Sequence, residues 1–229
     1  GYKIGSLGML IIIAFNLGWQ PFYIKIGNQE NAADTFGNIG TKFLLIMISF
    51  WALIVFWTHV FMRIKLGSNY IIGEEFWASE QLVSIIFLAY IFYAGYIILM
   101  PSIYLFEKQS WSPVFRGTGA LLNICLNLLF IRYWGIVGAA FATLISYMAM
   151  FIFIFFKSKK WMLIPYRWKT ILRHFIITSI FIFVYSMMQK TVLFSLGFSI
   201  IYFILVVIIY GNKTILRNYK QFLSIINDA

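Results

Sequence analysis

Charged side chains divide this chain into seven long apolar stretches: 4–24, 43–62, 81–106, 117–131, 133–156, 174–189 and 191–212. None of the seven contains Asp, Glu, Lys or Arg. A helix rises about 1.5 Å per residue, so about 20 apolar residues cross the roughly 30 Å hydrocarbon core of a bilayer. The pattern therefore predicts an all-α polytopic membrane bundle of about seven transmembrane helices. The stretches 117–131 and 174–189 are short, but each is flanked by bases (Arg116 and Arg132; Arg173 and Lys190). Such side chains reach the interface while their stems stay in hydrocarbon.

The loops test that count. With seven crossings, one face collects Lys25, Lys42, Lys108, Arg116, Lys157, Lys159, Lys160, Arg167, Lys169, Arg173, Lys213, Arg217 and Lys220, while the other has Lys3, Arg63, Lys65, Arg132 and Lys190. Bases concentrate on the cytoplasmic side of membrane proteins, which puts the C-terminus in the cytoplasm and the N-terminus outside. The first stretch is too long for a signal-peptide core and ends Trp19-Gln20-Pro21-Phe22, so it reads as a true span. An outward N-terminus with no initiating Met predicts that further spans precede it. The resulting divisions are a membrane bundle at 1–157, two additional helices at 158–212, and a cytoplasmic tail at 213–229. Ile215, Leu216, Tyr219, Phe222, Leu223 and Ile226 recur in the tail at amphipathic spacing. Trp161 to Trp168 mixes aromatics and bases around Pro165, as an interfacial belt does.

Composition agrees with this solvent: 62% of residues are hydrophobic and only 11% charged. Soluble domains carry about 25% charged residues. The net charge of +11 then reflects loop bases, with no nucleic-acid partner expected. Cys125, His59 and His174 lie in three separate stretches without ligand spacing, so no metal or cofactor is expected. Cys125 reads as a small packing residue within its span.

Every acid falls in a loop, at a span end or in the tail, and Glu74 and Glu75 form a pair in one loop. No catalytic constellation emerges, and the chain reads as a non-enzyme. The candidate substrate-binding residues are Lys3, Gln20, Asn123 and Asn127. The two asparagines share a helix face, where amides either glue helices together or line a cavity. Gly135, Gly138, Ala139 and Ala142 form a small-residue face that admits a neighbouring backbone. Pro21 removes a backbone donor and is a candidate kink or hinge.

Asn123-x3-Asn127 followed by Gly135-Ile-Val-Gly138-Ala139-Ala140-Phe-Ala142-Thr143-Leu-Ile-Ser146-Tyr147 resembles the signature of bacterial polysaccharide and O-antigen flippases. These belong to the multidrug/oligosaccharidyl-lipid/polysaccharide exporter superfamily. Further matches occur in order: Gly1-Tyr2-Lys3-Ile4 with Gly18-Trp19-Gln20-Pro21-Phe22, then Gly67-Ser68-x-Tyr70-x2-Gly73, Tyr90-Ile-Phe-Tyr93-x-Gly95 and Glu107-Lys108-Gln109. Where the family usually has a proline before the Gly-x-x-Gly-Ala-Ala run, this chain has Arg132.

The resemblance implies two pseudo-symmetric lobes, often of fourteen spans in all, of which this chain matches the C-terminal lobe without its first helix, plus the last two helices. It implies that a missing N-terminal lobe is a partner, and that the related lipid-II flippases use the last helix pair as a groove for a polyprenyl tail. It implies flipping of a polyprenyl-pyrophosphate-linked oligosaccharide across the bacterial inner membrane by alternating access. Lys3 matches a cavity-lining base in the lipid-II flippases and would neutralise the pyrophosphate. Two alternatives stand beside this reading. One is a multidrug exporter of the same superfamily. The other is a membrane polymerase or transferase of the polysaccharide pathway, which would need Glu74 or Glu75.

Overall fold

The computed structural model describes residues 2–66, 69–188 and 190–227, with side chains described as far as Tyr210 and not for Tyr2. Helices follow one another as α1 (Tyr2–Gly5), α2 (Leu7–Ile26), α3 (Ala32–Met62), α4 (Glu80–Ile98), α5 (Pro101–Tyr104), α6 (Trp111–Ser158), α7 (Trp168–Ser186) and α8 (Val192–Asn227). Between α3 and α4 lie a minimal antiparallel hairpin, β1 (Lys65–Leu66) with β2 (Asn69–Tyr70), and a 3-10 turn at Glu74–Ser79. Gly67 and Ser68 of the loop motif lie outside the described residues. Among the described residues six helical stretches are long and apolar enough to cross a membrane.

The longest of these, α6, has 48 residues. Straight, it would measure about 72 Å, more than twice the hydrocarbon thickness. It is not straight, because Gly135 breaks the helix at φ 54°, ψ −134°. The chain then doubles back. The Phe115 and Phe153 rings sit 4.9 Å apart, and Asn123 Nδ2 donates to Thr143 Oγ1 at 3.5 Å. The arms 111–134 and 136–158 are thus antiparallel rods, and the six stretches make seven rods.

Gly135 plays a different part from the one its sequence pattern suggests. A Cβ there would meet nothing within 4 Å, so no neighbour packs against it. Its positive φ is what demands glycine, since an L side chain at that angle is strained. The close approach belongs to Gly138, where a Cβ would run into the Phe130 carbonyl of the opposite arm. Ala142 is buried and Ala139 half-buried on the same arm. Cys125 is exposed on the first arm, which corrects its reading as a packing residue.

Helix α4 occupies the centre, packed against α2, α3 and α6. Its sequence is apolar on every face, and such a helix suits a fully enclosed position. Ile86, Phe87, Ala89, Ala94, Tyr96 and Ile98 are all fully buried. The expected 81–106 span is interrupted before its end, because α4 stops at Ile98 and Pro101 opens α5. Proline lacks the donor needed to continue the ladder. Helix α3 is longer than its apolar stretch and begins at Ala32, since Asp34 and Lys42 limit hydropathy without breaking a helix.

The segment expected to be an interfacial belt is a strap along the bundle in which buried Ile164 and Tyr166 alternate with exposed Leu163, Pro165 and Arg167. Ile164 and Tyr166 are buried, and the Tyr166 hydroxyl donates to the Ile98 carbonyl at 2.5 Å. Gly37 and Gly40 of α3 make room, because a Cβ on either would collide with Pro165 or Tyr166. Burial raises the Tyr166 phenol above its ordinary pKa, so it remains a donor. This bond satisfies the carbonyl of Ile98, the last residue of α4. We expect Tyr166→Phe to destabilise the bundle by about 1–2 kcal/mol, the cost of an unmet buried acceptor. Denaturant titration in detergent measures it, and an unchanged midpoint would refute the role.

Helices α7 and α8 both pack on α3, where Ala52, Phe56, Tyr185 and Tyr202 form a second, smaller core. The backbone of α8 continues to Asn227. The tail positions Ile215, Leu216, Tyr219, Phe222, Leu223 and Ile226 carry side chains outside the described residues, so the expected amphipathic face is not placed.

Candidate functional site

The four expected binding residues occupy two places. Lys3 and Gln20 are both exposed, on α1 and α2 respectively. Seventeen helical residues separate them by about 25 Å along the first span, so they address opposite ends of it. Asn123 and Asn127 are half-buried within the α6 hairpin. Asn127 Nδ2 donates to the Asn123 carbonyl at 2.8 Å and to Asn123 Oδ1 at 2.9 Å. With Asn123 reaching Thr143, the pair ties the two arms, which is the helix-glue role. Pro21 lies inside α2, and the helix continues past it to Ile26. Pro21 and Leu17 one turn earlier are both exposed. Glu74 and Glu75 are exposed in the 3-10 turn.

Two polar clusters stand out that sequence reasoning did not single out. At one end of the bundle Glu80, the first residue of α4, draws together two cations and an imidazole. Lys190 Nζ donates to its Oε1 at 2.7 Å, and Arg63 NH1 to its Oε2 at 3.1 Å. His59 Nδ1 lies 3.0 Å from the same Oε2. Arg63 also donates to the His59 carbonyl, and its guanidinium stacks 4.5 Å from the Trp77 ring centroid. Trp77 Nε1 in turn donates to the carbonyls of Met62 and Ile72. One carboxylate thus pins the end of α3, the start of α4 and the α7–α8 connection. In the sequence Glu80 looks like any acid at a span end, because its partners lie 17 to 110 residues away.

The second cluster lies among helices long and apolar enough to cross a membrane. His174 is 1% exposed, and its Nε2 lies 2.9 Å from Ser49 Oγ and 3.3 Å from the Tyr202 hydroxyl. Ser49 Oγ also lies 3.0 Å from the Leu45 carbonyl, and the imidazole tautomer sets whether His174 Nε2 donates to the serine oxygen or accepts from it. Tyr202 also meets Thr178 Oγ1 at 2.8 Å. The network joins α3, α7 and α8. Its signal in the sequence was a histidine at the edge of an apolar stretch, with Thr178 one turn further on the same face.

This network forms one wall of an apolar cleft of about 460 Å3 between α3 and α8, lined also by Leu53, Phe203 and Val206, with Lys42 at its rim. A second apolar cleft of about 440 Å3 lies among α3, α4, α6 and α7, floored by Gly95 and walled by Phe92, Phe151 and Phe175.

The fold and these clefts define an all-helical chain compatible with a multi-pass membrane protein. Comparison with family models, with curated proteins and with solved structures finds no match to this chain.

Proposed function

We propose that this chain is part of a carrier that flips a polyprenyl-pyrophosphate-linked oligosaccharide across the bacterial inner membrane for cell-surface polysaccharide export. The observation that carries the proposal is the apolar cleft between α3 and α8 with Lys42 at its rim. An isoprenoid tail needs an apolar track, while its phosphate-bearing head needs a polar, cationic route. Sugars and phosphates cannot enter hydrocarbon unaided, since each unsatisfied polar group costs several kcal/mol there. The ordered motif resemblance adds to this, because it assigns the last helix pair to the lipid tail. On this reading a second lobe, from further sequence or a partner chain, completes the path by rocking against this one. Lys3, on α1, would face the head group, while Gln20 lies at the other end of the same span. The C-terminus would be cytoplasmic.

The test is reconstitution of the protein in vesicles with a fluorescent lipid-linked oligosaccharide. Translocation is read as the fraction of sugar accessible to an external glycosidase. Val206→Trp fills the cleft wall and is expected to slow flipping by about tenfold, corresponding to about 1.4 kcal/mol on the barrier. Its unfolding midpoint should stay near that of the parent. No flipping above protein-free vesicles, or an unaltered rate in Val206→Trp, would defeat the reading.

A further inference from the structure

We propose that the apolar cleft among α3, α4, α6 and α7 holds one hydrocarbon chain of an anionic glycerophospholipid, whose headgroup phosphate is met by Lys159 and Lys169. The cleft measures about 440 Å3, and Lys169, in the first turn of α7, is the charged residue of its lining. Lys159 follows the last residue of α6, and its Nζ sits 3.9 Å over the Phe155 ring, itself part of the cleft wall. The Phe155 ring in turn meets that of Trp168, the residue before Lys169, edge-on at 5.1 Å. This aromatic pair places both bases at one end of the cleft, and both lysines are exposed.

The distribution of charge selects the occupant. No Asp or Glu occurs between Lys108 and Asn227, a stretch that includes all of α6 and α7. The acids on the other two helices of the cleft are Asp34 of α3 and Glu80 of α4. Each stands about 15 Å or more of helix before the nearest lining residue of its own helix, Leu44 or Ile91. Among the described residues the ion pairs all converge on Glu80, so neither Lys159 nor Lys169 is matched by a carboxylate. The neighbouring bases are otherwise engaged: Arg167 donates to Asn38 Oδ1 at 3.0 Å, and Lys157 Nζ lies 4.0 Å over the Trp111 ring. A cleft that is apolar along its length and cationic at one end fits an amphiphile with a hydrocarbon chain and an anionic head. A cationic amphiphile is repelled there, and a fully apolar one leaves the two ammonium groups unmet. Basic pockets between membrane helices take lipid phosphates in this way, and aromatic side chains such as Trp168 settle at the level of the headgroups. Leu172, on the α7 wall, is 59% exposed, which leaves the cleft open for a chain to enter sideways. Loop bases mark this end of the bundle as the cytoplasmic one, the side on which anionic lipids attract basic segments.

The inference rests on the chain lying in a bilayer and is independent of the carrier reading, which uses the other cleft. The probes are phosphatidylglycerol and phosphatidylcholine of identical chains, titrated onto the detergent-solubilised full chain and read by native mass spectrometry. The expected result is saturable binding of phosphatidylglycerol in preference to phosphatidylcholine. Lys159→Ala and Lys169→Ala should each weaken it about fivefold, and the double variant at least about tenfold. Leu172→Trp, which fills the cleft from an exposed position, should weaken it at least about threefold by taking the space of the chain. Lys65→Ala, an exposed base in β1 between α3 and α4, should bind as the parent does. Equal affinity for the two lipids, or unaltered binding in the double lysine variant with a parental unfolding midpoint, would overturn the proposal. Binding lost in the lysine variants but unaltered in Leu172→Trp would mean a headgroup held on a basic surface with no chain in the cleft, and would overturn it as well. Displacement of phosphatidylglycerol by an equal concentration of undecaprenyl phosphate would assign the cleft to a polyprenyl lipid instead.

Discussion

Gly138→Leu is expected to prevent the α6 hairpin from closing. A Cβ at 138 already meets the Phe130 carbonyl carbon at 2.5 Å and Phe130 Cβ at 2.9 Å, and the rest of a leucine side chain would have to displace that arm. The obstacle is largely backbone, which cannot rotate away as a flexible side chain can. Overpacking of a close contact costs about 1–3 kcal/mol, and a backbone obstacle puts this site at about 3 kcal/mol. Opening the arms would also strip Asn123 of Thr143 and separate Phe115 from Phe153. A control is Ile136→Leu, at an exposed position just past the turn, which should leave stability unaltered. Detergent unfolding with size-exclusion profiles checks both. A monodisperse Gly138→Leu protein with the parental unfolding midpoint would show that the arms do not meet as described.

Glu80→Gln should give the second-largest loss. The substitution keeps the shape and one acceptor but removes the charge that holds Lys190, Arg63 and His59 together. The Glu80 side chain is 16% exposed, while Arg63 and Lys190 are about a third exposed. Breaking a fully buried pair costs 3–5 kcal/mol, and partial solvent screening of the partners lowers this to about 2–3 kcal/mol. The loss should be concentrated at the α7–α8 connection, because among the described residues the ion pair of Lys190 is with Glu80. Hydrogen exchange is expected to rise around 186–192 well before the central α4 is affected. Uniform exchange, or a stability change under about 0.5 kcal/mol, would mean that the cluster is merely a surface arrangement.

These two sites differ in how far the sequence announces them. Gly138 sits in a run of small residues whose spacing already points to a close helix contact. What that run does not reveal is the neighbour: the contact is made by the preceding arm of the same hairpin, and the turn between the arms falls on Gly135. A glycine needed for its backbone angle and a glycine needed for its missing side chain look the same in one dimension. Glu80 is the opposite case, since nothing next to it in the chain hints that a lysine, an arginine and a histidine will surround it. His174 was similarly inconspicuous, because the apolar stretch began with it and made it look like a boundary residue. The pairing of Asn123 and Asn127 on one helix face was readable from their spacing, whereas Thr143 as their partner was not. Lys3 and Gln20 share a span, yet helical rise alone separates them too far for a single small site.

The sequence by itself determined the helical class and the approximate rods, and it pointed to a bilayer as their surroundings. It could do so because a bilayer acts on each segment separately: hydrocarbon requires every span to satisfy its own backbone and to be apolar over about 20 residues. Only the tertiary structure decided where α6 doubles back, that Ile164 and Tyr166 pack inward, and which polar groups meet at Glu80 and His174. Those outcomes depend on which helix faces which, a choice set by close packing among side chains distant in the chain. In lipid, where apolar faces have no hydrophobic drive to associate, small residues and polar pairs make that choice.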